Sequence, residues 1–577
     1  MARTCLNSAQ REGALAQLQK EKVDLLVVGG GVTGAGIALD AATRGLRVGI
    51  VEAQDWAGGT SQWSSKLVHG GLRYLYQFNF ALVAEALKER GLLLTRTAPH
   101  LVKAQPFLWP LKMPVVERSY SAVGVGMYDM LAQFGGGGHN AVPRQKHYTK
   151  EGAKELFPGI RDDALIGAIR FYDARVDDAR LVIDLVRTAV GYGALAVSRA
   201  QVTGYLKDGS RVVGAHIKDL ETGRELQVQA DYVINATGVW TERTQDLATA
   251  DGGLRVLASK GIHIVVPKDR IQGQAGIFLR TEKSVLFIIP WERYWVIGTT
   301  DTEWTQDLAH PVTTAADIDY VLEHANSVLA NPLTREDIIG TYAGLRPLLQ
   351  PKTKGEDSSA KVSREHTVAE VTPGLAAIAG GKLTTYRVMA QDAVDFALTQ
   401  RGGPRALEEH PCITETVPLV GGAGYAAWQT QKERVAADEG WSPQRVQHLL
   451  DRYGDELPVI IDLIAENPDL GAPLAAEPAY LRAEVAFAIT HEGALHVDDI
   501  LRKRVRLDYE HRDRGRSALP EIVDIAAPLL GWDETQREAE IRSYSDRVAA
   551  EAAAEQTSTD EQAVRARLGV PDLVPMA

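Results

Sequence analysis

Residues 23–52, VDLLVVGGGVTGAGIALDAATRGLRVGIVE, run from an apolar stretch through three spaced glycines and a small-residue helix to a second apolar stretch closed by a glutamate. Val23 to Val28 reads as a buried parallel strand by its length and β-branching. Gly29, Gly31 and Gly34 form the G-x-G-x-x-G turn that opens a helix. Gly29 permits the tight turn, Gly31 lets backbone approach a pyrophosphate, and Gly34 allows close packing of helix on strand. The pyrophosphate is expected on the helix N-terminal N–H groups. Val48 to Val51 makes the second strand. Glu52, 18 residues past Gly34, stands where an acidic side chain accepts the hydroxyls of an adenosine ribose. The unit predicts a dinucleotide site, and its residues alone leave FAD and NAD both open.

Composition sets the frame around this unit. The chain has 577 residues, 45% hydrophobic and 24% charged, room for roughly two to four domains. It has no run of 18 apolar residues and no apolar stretch of the secretory kind near its start, so a cytoplasmic protein is expected. Cys5 and Cys412 lie far apart with no histidine at ligand spacing, which predicts neither a disulfide framework nor a metal site. A net charge of −12 makes nucleic acid an unfavourable partner.

Three regions follow. Residues 1–20 read as a polar arm, frayed or locally helical. Residues 21–405 mix βαβ patterns with apolar stretches such as IHIVVP (262–267), SVLFIIPW (284–291) and RYWVIGTT (293–300), expected as neighbouring antiparallel strands flooring a pocket. The fold class expected is α/β: a Rossmann-like dinucleotide domain interleaved with an antiparallel, β-rich substrate domain, mainly 73–200 and 255–340. Residues 410–577 carry helical periodicity and read as a separate all-α domain. GGAGYAAW (421–428) reads as a linker or loop, and the stretch beyond the last long helix, from Glu555, as mobile.

SSKLVHGGLRYL (64–75) gathers Ser64, Ser65, Lys66, His69, Arg73 and Tyr74 shortly after Glu52. Its hydroxyls, cation and glycines suit a pyrophosphate or ring edge. His69 suits either a general base or a hydrogen-bonded structural histidine. Arg346, Arg364 and Lys382, interleaved with apolar strands, read together as a clamp for a phosphate or carboxylate. Asn235 to Gly238, with Ala236 and Thr237, brings another loop close to a ligand.

Taken in order, VVGGGVTGAGIALDAATRG, SSKLVHGGLRYL, VDDARLV, NATGVW, KGIHIVVP, IGTTDTEW, TYAGLRPL and GGKLTTYR closely resemble the aerobic FAD-dependent glycerol-3-phosphate dehydrogenase family. The match runs from about residue 23 to 395 and continues more weakly through HEGALHVDDILRKRVRL. The resemblance implies a glutathione-reductase-like, D-amino-acid-oxidase-like flavoprotein with non-covalent FAD. It implies oxidation of glycerol 3-phosphate to dihydroxyacetone phosphate, electrons going to a membrane quinone. It puts Gly381, Lys382, Leu383, Thr384 and Thr385 beside the flavin, opposite the His69 loop. Arg346 and Arg364 would hold phosphate, Arg73 and Tyr74 would orient substrate, and Lys382 would stabilise charge near the flavin N1 and C2. His69 is the first candidate base and His263 the second. A homodimer attached peripherally to the inner face of the cell membrane is also implied. Phe107, Leu108 and Trp109 between Lys103 and Lys112 are a candidate lipid-facing segment, although the same residues suit a core strand ended by proline, the preferred reading. A glycerol-3-phosphate oxidase producing hydrogen peroxide is the alternative.

Overall fold

The computed structural model describes residues 4–71, 79–112, 126, 142–249, 253–281, 285–350 and 366–576. Strand Val23–Val28 lies at the centre of an eight-stranded sheet, parallel to Val48–Val51 on one side and to Glu225–Asn235 on the other. Leu375–Ala379 and Leu195–Val197 extend it in the same sense. Parallel strands need covered faces. Helices Val32–Thr43, Asp178–Gly191 and Tyr386–Gly402 cover one, burying Ile37, Val182, Leu185 and Val394.

Helix Ser8–Lys20 covers part of the other face through Ala14, Leu15 and Leu18. Asn7 caps it, and Arg11 is buried against Asp219 and the Ser198 carbonyl. The amino-terminal arm is therefore fixed rather than frayed.

The second sheet has ten strands, all but one pair antiparallel. Val256–Pro267, Tyr294–Gly298 and Val285–Trp291 are consecutive neighbours, with His263 opposite Gly298 and Trp291 opposite Tyr294. Gly340–Leu349 pairs along the other edge of Val256–Pro267. Residues 178–200 pack with the first sheet, because Leu195–Val197 forms its parallel edge strand; the first segment of the β-rich part thus ends at Arg175, and the second runs on through Leu349. Lys103–Leu111 is an inner strand between Gly167–Arg175 and Gly276–Arg280. Phe107, Leu108 and Trp109 are buried there and Lys103 lies over the Tyr425 ring, so this stretch does not face lipid.

Beyond residue 403 the described secondary structure is helical. GGAGYAAW is a packed junction, not a linker: Tyr425–Thr430 is a helix, and a Cβ on Gly421 would meet His100 and the Tyr453 carbonyl at 2.8 Å. The stretch expected to be mobile holds helix Asp560–Leu568, whose Ala563 and Val564 are buried against Val239, Trp304 and Leu345. The four-glycine run at 135–138 lies outside the described residues. No helix among the described residues is long and apolar enough to cross a membrane.

Candidate active site

Strand Val23–Val28 ends at a cavity of about 610 Å³. Gly29 makes the exit turn with φ +110°, and a Cβ there would lie 2.7 Å from the Ala236 carbonyl oxygen, so the two loops touch through bare backbone. A Cβ on Gly34 would lie 1.8 Å from the Gly29 carbonyl oxygen, a direct clash. Gly31 is the N-cap of helix Val32–Thr43 and supplies no side-chain cap. Gly31, Val32 and Thr33 face the cavity, presenting a helix N-terminus to it. Glu52 also lines the cavity, its carboxylate fixed by the Gly30 N–H at 2.5 Å and the Gln54 N–H at 2.7 Å. Burial raises its pKa and the two N–H groups oppose that rise.

Ala236, Thr237 and Gly238 line a second side, and Gly381, Lys382 and Leu383 a third. These are the loops after parallel strands Glu225–Asn235 and Leu375–Ala379, so three carboxyl ends of one sheet converge on the cavity. The cradle fits an elongated dinucleotide: a helix start whose N-cap, Gly31, has no side chain, a fixed acid and glycine backbone where side chains would intrude. Ser61, which accepts from the Val32 N–H at 2.9 Å, and Gln54, Trp240 and Arg243 belong to the same wall. The signal for Ser61 was the small polar run GGTS following Glu52, and Trp240 closes the NATGVW motif; Arg243 carries no local signal.

The cluster beginning at Ser64 divides. Lys66 turns inward to Asp178 and the Gln62 carbonyl, both at 2.6 Å, and Ser64 also donates to Asp178. This ties the loop to the start of helix Asp178–Gly191. The backbone of His69 is joined to Thr384, whose hydroxyl accepts from its N–H and donates to its carbonyl, each at 3.1 Å. The His69 and Lys382 loops are thus stitched together. Thr385 is buried at the start of helix Tyr386–Gly402. Arg73, Tyr74 and Arg364 lie outside the described residues.

Ser65 Oγ meets His263 Nε2 at 2.8 Å. His263 is 2% exposed and stacks on Tyr342, ring centroids 4.8 Å apart, while its Nδ1 has no hydrogen-bond partner among the described residues. Burial, reinforced by the Arg346 and Lys66 charges, draws its pKa well below the ordinary value. Arg346, on Gly340–Leu349, donates to Thr299 Oγ1 at 3.0 Å and to the Thr300 carbonyl at 3.1 Å, with Asp301 at 3.4 Å. Its neighbour Pro347 reaches the cavity wall.

The FAD-dependent oxidoreductase family matches residues 24–387, and the C-terminal domain of alpha-glycerophosphate oxidase matches residues 412–537. The glycerol-3-phosphate dehydrogenase of Mycobacterium leprae is 49% identical over 99% of this chain and 95% of its own length. The chain belongs to the FAD-dependent glycerol-3-phosphate dehydrogenase family. The mitochondrial glycerol-3-phosphate dehydrogenase of Homo sapiens is 34% identical over 92% of this chain and 74% of its own. Among solved structures, the Bacillus halodurans glycerol-3-phosphate dehydrogenase complexed with FAD has 27% identity and a TM-score of 0.76, covering 94% of this chain and 97% of that one. FAD is accordingly the cofactor, and the protein is an oxidoreductase with an all-helical C-terminal domain on a flavoprotein fold.

Proposed function

We propose that the protein oxidises sn-glycerol 3-phosphate to dihydroxyacetone phosphate and passes the electrons to a membrane quinone. The observation that carries the reading is His263, its Nε2 at the Ser65 hydroxyl, sharing one sheet face with the Arg346 guanidinium, whose neighbour Pro347 reaches the cofactor cavity. FAD, when bound, supplies a two-electron acceptor for the hydride leaving C2. Arg346 takes the phosphate, with Arg73 and Arg364 as further cations and Tyr74 and Arg73 orienting the substrate. His263 accepts the C2 hydroxyl proton, and Nε2, which already meets the Ser65 hydroxyl, is the atom we assign. His69, whose backbone is tied to Thr384, we rank second as base because His263 shares its sheet face with Arg346, reversing the order drawn from sequence. Lys382 puts positive charge on the cavity wall where electrons arrive. Glu52 holds the adenosine ribose, and Gly29, Gly31 and Gly238 admit the pyrophosphate.

A quinone acceptor requires contact with the bilayer, so we place the protein as a homodimer on the inner face of the cell membrane. An oxidase that reduces oxygen to peroxide is the second reading, favoured by the alpha-glycerophosphate oxidase match of the C-terminal domain. Steady-state reduction of a quinone analogue tests the function. Glycerol 3-phosphate should support it and glycerol should not; stoichiometric peroxide in air without quinone would assign the oxidase.

A further inference from the structure

The FAD cavity is not enclosed by the dinucleotide domain alone. Met576 lines it, more than 500 residues along the chain from the glycine turn that also lines it. Met576 and Gln54 also line an adjoining polar cleft, so Met576 sits at the boundary between the two spaces. The residues leading to it are held by polar ties. His310 Nε2 meets Asp572 at 2.8 Å and His310 Nδ1 meets Asp307 at 2.7 Å. Arg567 pairs with Asp572 and donates to the Val570 carbonyl at 2.9 Å. Leu573, by contrast, is 41% exposed, so this segment gains little from apolar burial.

Its foundation is firmer. Helix Asp560–Leu568 buries Ala563 and Val564 in a cluster with Val239, and Trp240, which lines the cavity, packs against the same cluster. Lys260, itself buried, pairs with Asp560. The helix therefore backs one cavity wall while the residues after it contribute another.

We propose that residues 560–576 form a strap that retains FAD, with the helix bracing the Val239–Trp240 wall and the His310–Asp572 tie holding Met576 across the cavity. The proposal rests on the assignment of this cavity to the dinucleotide. An apolar side chain there excludes water from the bound cofactor, and a tie of two residues far apart in sequence makes cofactor release depend on opening the strap. This predicts a slow release rate rather than a specific contact to any one cofactor atom.

The test is release of FAD from holoenzyme, followed by the rise of free-flavin fluorescence after large dilution into flavin-free buffer. Removal of residues 571–577, Asp572→Asn and Met576→Ala should each speed release by about tenfold or more. The point variants should keep the wild-type melting temperature of the apoprotein, which separates a loosened strap from a disrupted fold. Gly31→Val serves as control, since a side chain at the helix start should abolish binding. Release at the wild-type rate from all three strap variants would overturn the proposal. Normal FAD binding by Gly31→Val would instead overturn the cavity assignment beneath it.

Discussion

Arg504 of the helical domain donates to Asp55 of the dinucleotide domain, Nη2 to Oδ1 at 3.0 Å, with a second bond from Nη1, and both side chains are buried. Asp55 lies three residues beyond Glu52, so the helical domain clamps the loop that carries Glu52. Burial alone would raise the Asp55 pKa, but Arg504 and Lys503 outweigh it and hold the carboxyl well below its usual range. Arg504→Met should leave Asp55 buried with Lys503 as its remaining close cation and cost about 3–5 kcal/mol, less whatever Lys503 recovers. Thermal unfolding of the apoprotein measures this, and FAD affinity should fall with it. An unchanged melting temperature would show that the pair is dispensable.

His263→Ala should slow anaerobic flavin reduction by about 10²–10⁴ while leaving FAD bound, the range expected for removing a general base. Ser65→Ala should have a much smaller effect, because the serine only positions the ring. If His69→Ala shows the large loss and His263→Ala does not, the two assignments exchange.

Arg346→Ala should raise the KM for glycerol 3-phosphate by about 10- to 100-fold, as a lost charge-assisted hydrogen bond of about 1.5–3 kcal/mol implies. Inhibition by inorganic phosphate should weaken in parallel. A KM at the wild-type level would take Arg346 out of the clamp.

His496 bonds Glu540 at 2.6 Å and Glu221 at 3.0 Å, linking the helical domain to the turn before strand Glu225–Asn235 of the dinucleotide domain. Burial draws its pKa down, but the two carboxylates prevail and raise it to about 10. Since the folded value exceeds the unfolded one of about 6.5, the stabilisation is complete below that pH and is lost as pH rises through about 10. The melting temperature should therefore fall between neutral pH and pH 10 more steeply in wild type than in His496→Gln. Parallel curves for the two proteins would refute the link.

The βαβ unit was legible because strand length, glycine spacing and Glu52 all lie within 30 residues and depend on local geometry. The antiparallel strands around His263 were legible for the same reason, with only Glu292 and Arg293 turning the chain between two of them. The amino-terminal helix was harder, since its buried stripe is only Ala14, Leu15 and Leu18 and its Arg11 finds Asp219 from the far side of the domain. Residues 555–576 looked mobile because the partners of Ala563 and Asp572, Val239 and His310, are hundreds of residues away. Lys66 gave no hint that it would meet Asp178 rather than the cavity, for any cation beside glycines reads alike before the fold is known. His263 was recognisable as a buried strand histidine, whereas its juxtaposition with Ser65 and Arg346 is a property of the folded sheet.

The most direct test is anaerobic stopped-flow absorbance of the purified holoenzyme mixed with glycerol 3-phosphate. The flavin band should bleach in a single substrate-dependent phase, fail to bleach with glycerol, and recover faster with a quinone analogue than with air. A band that persists with glycerol 3-phosphate would contradict the substrate assignment.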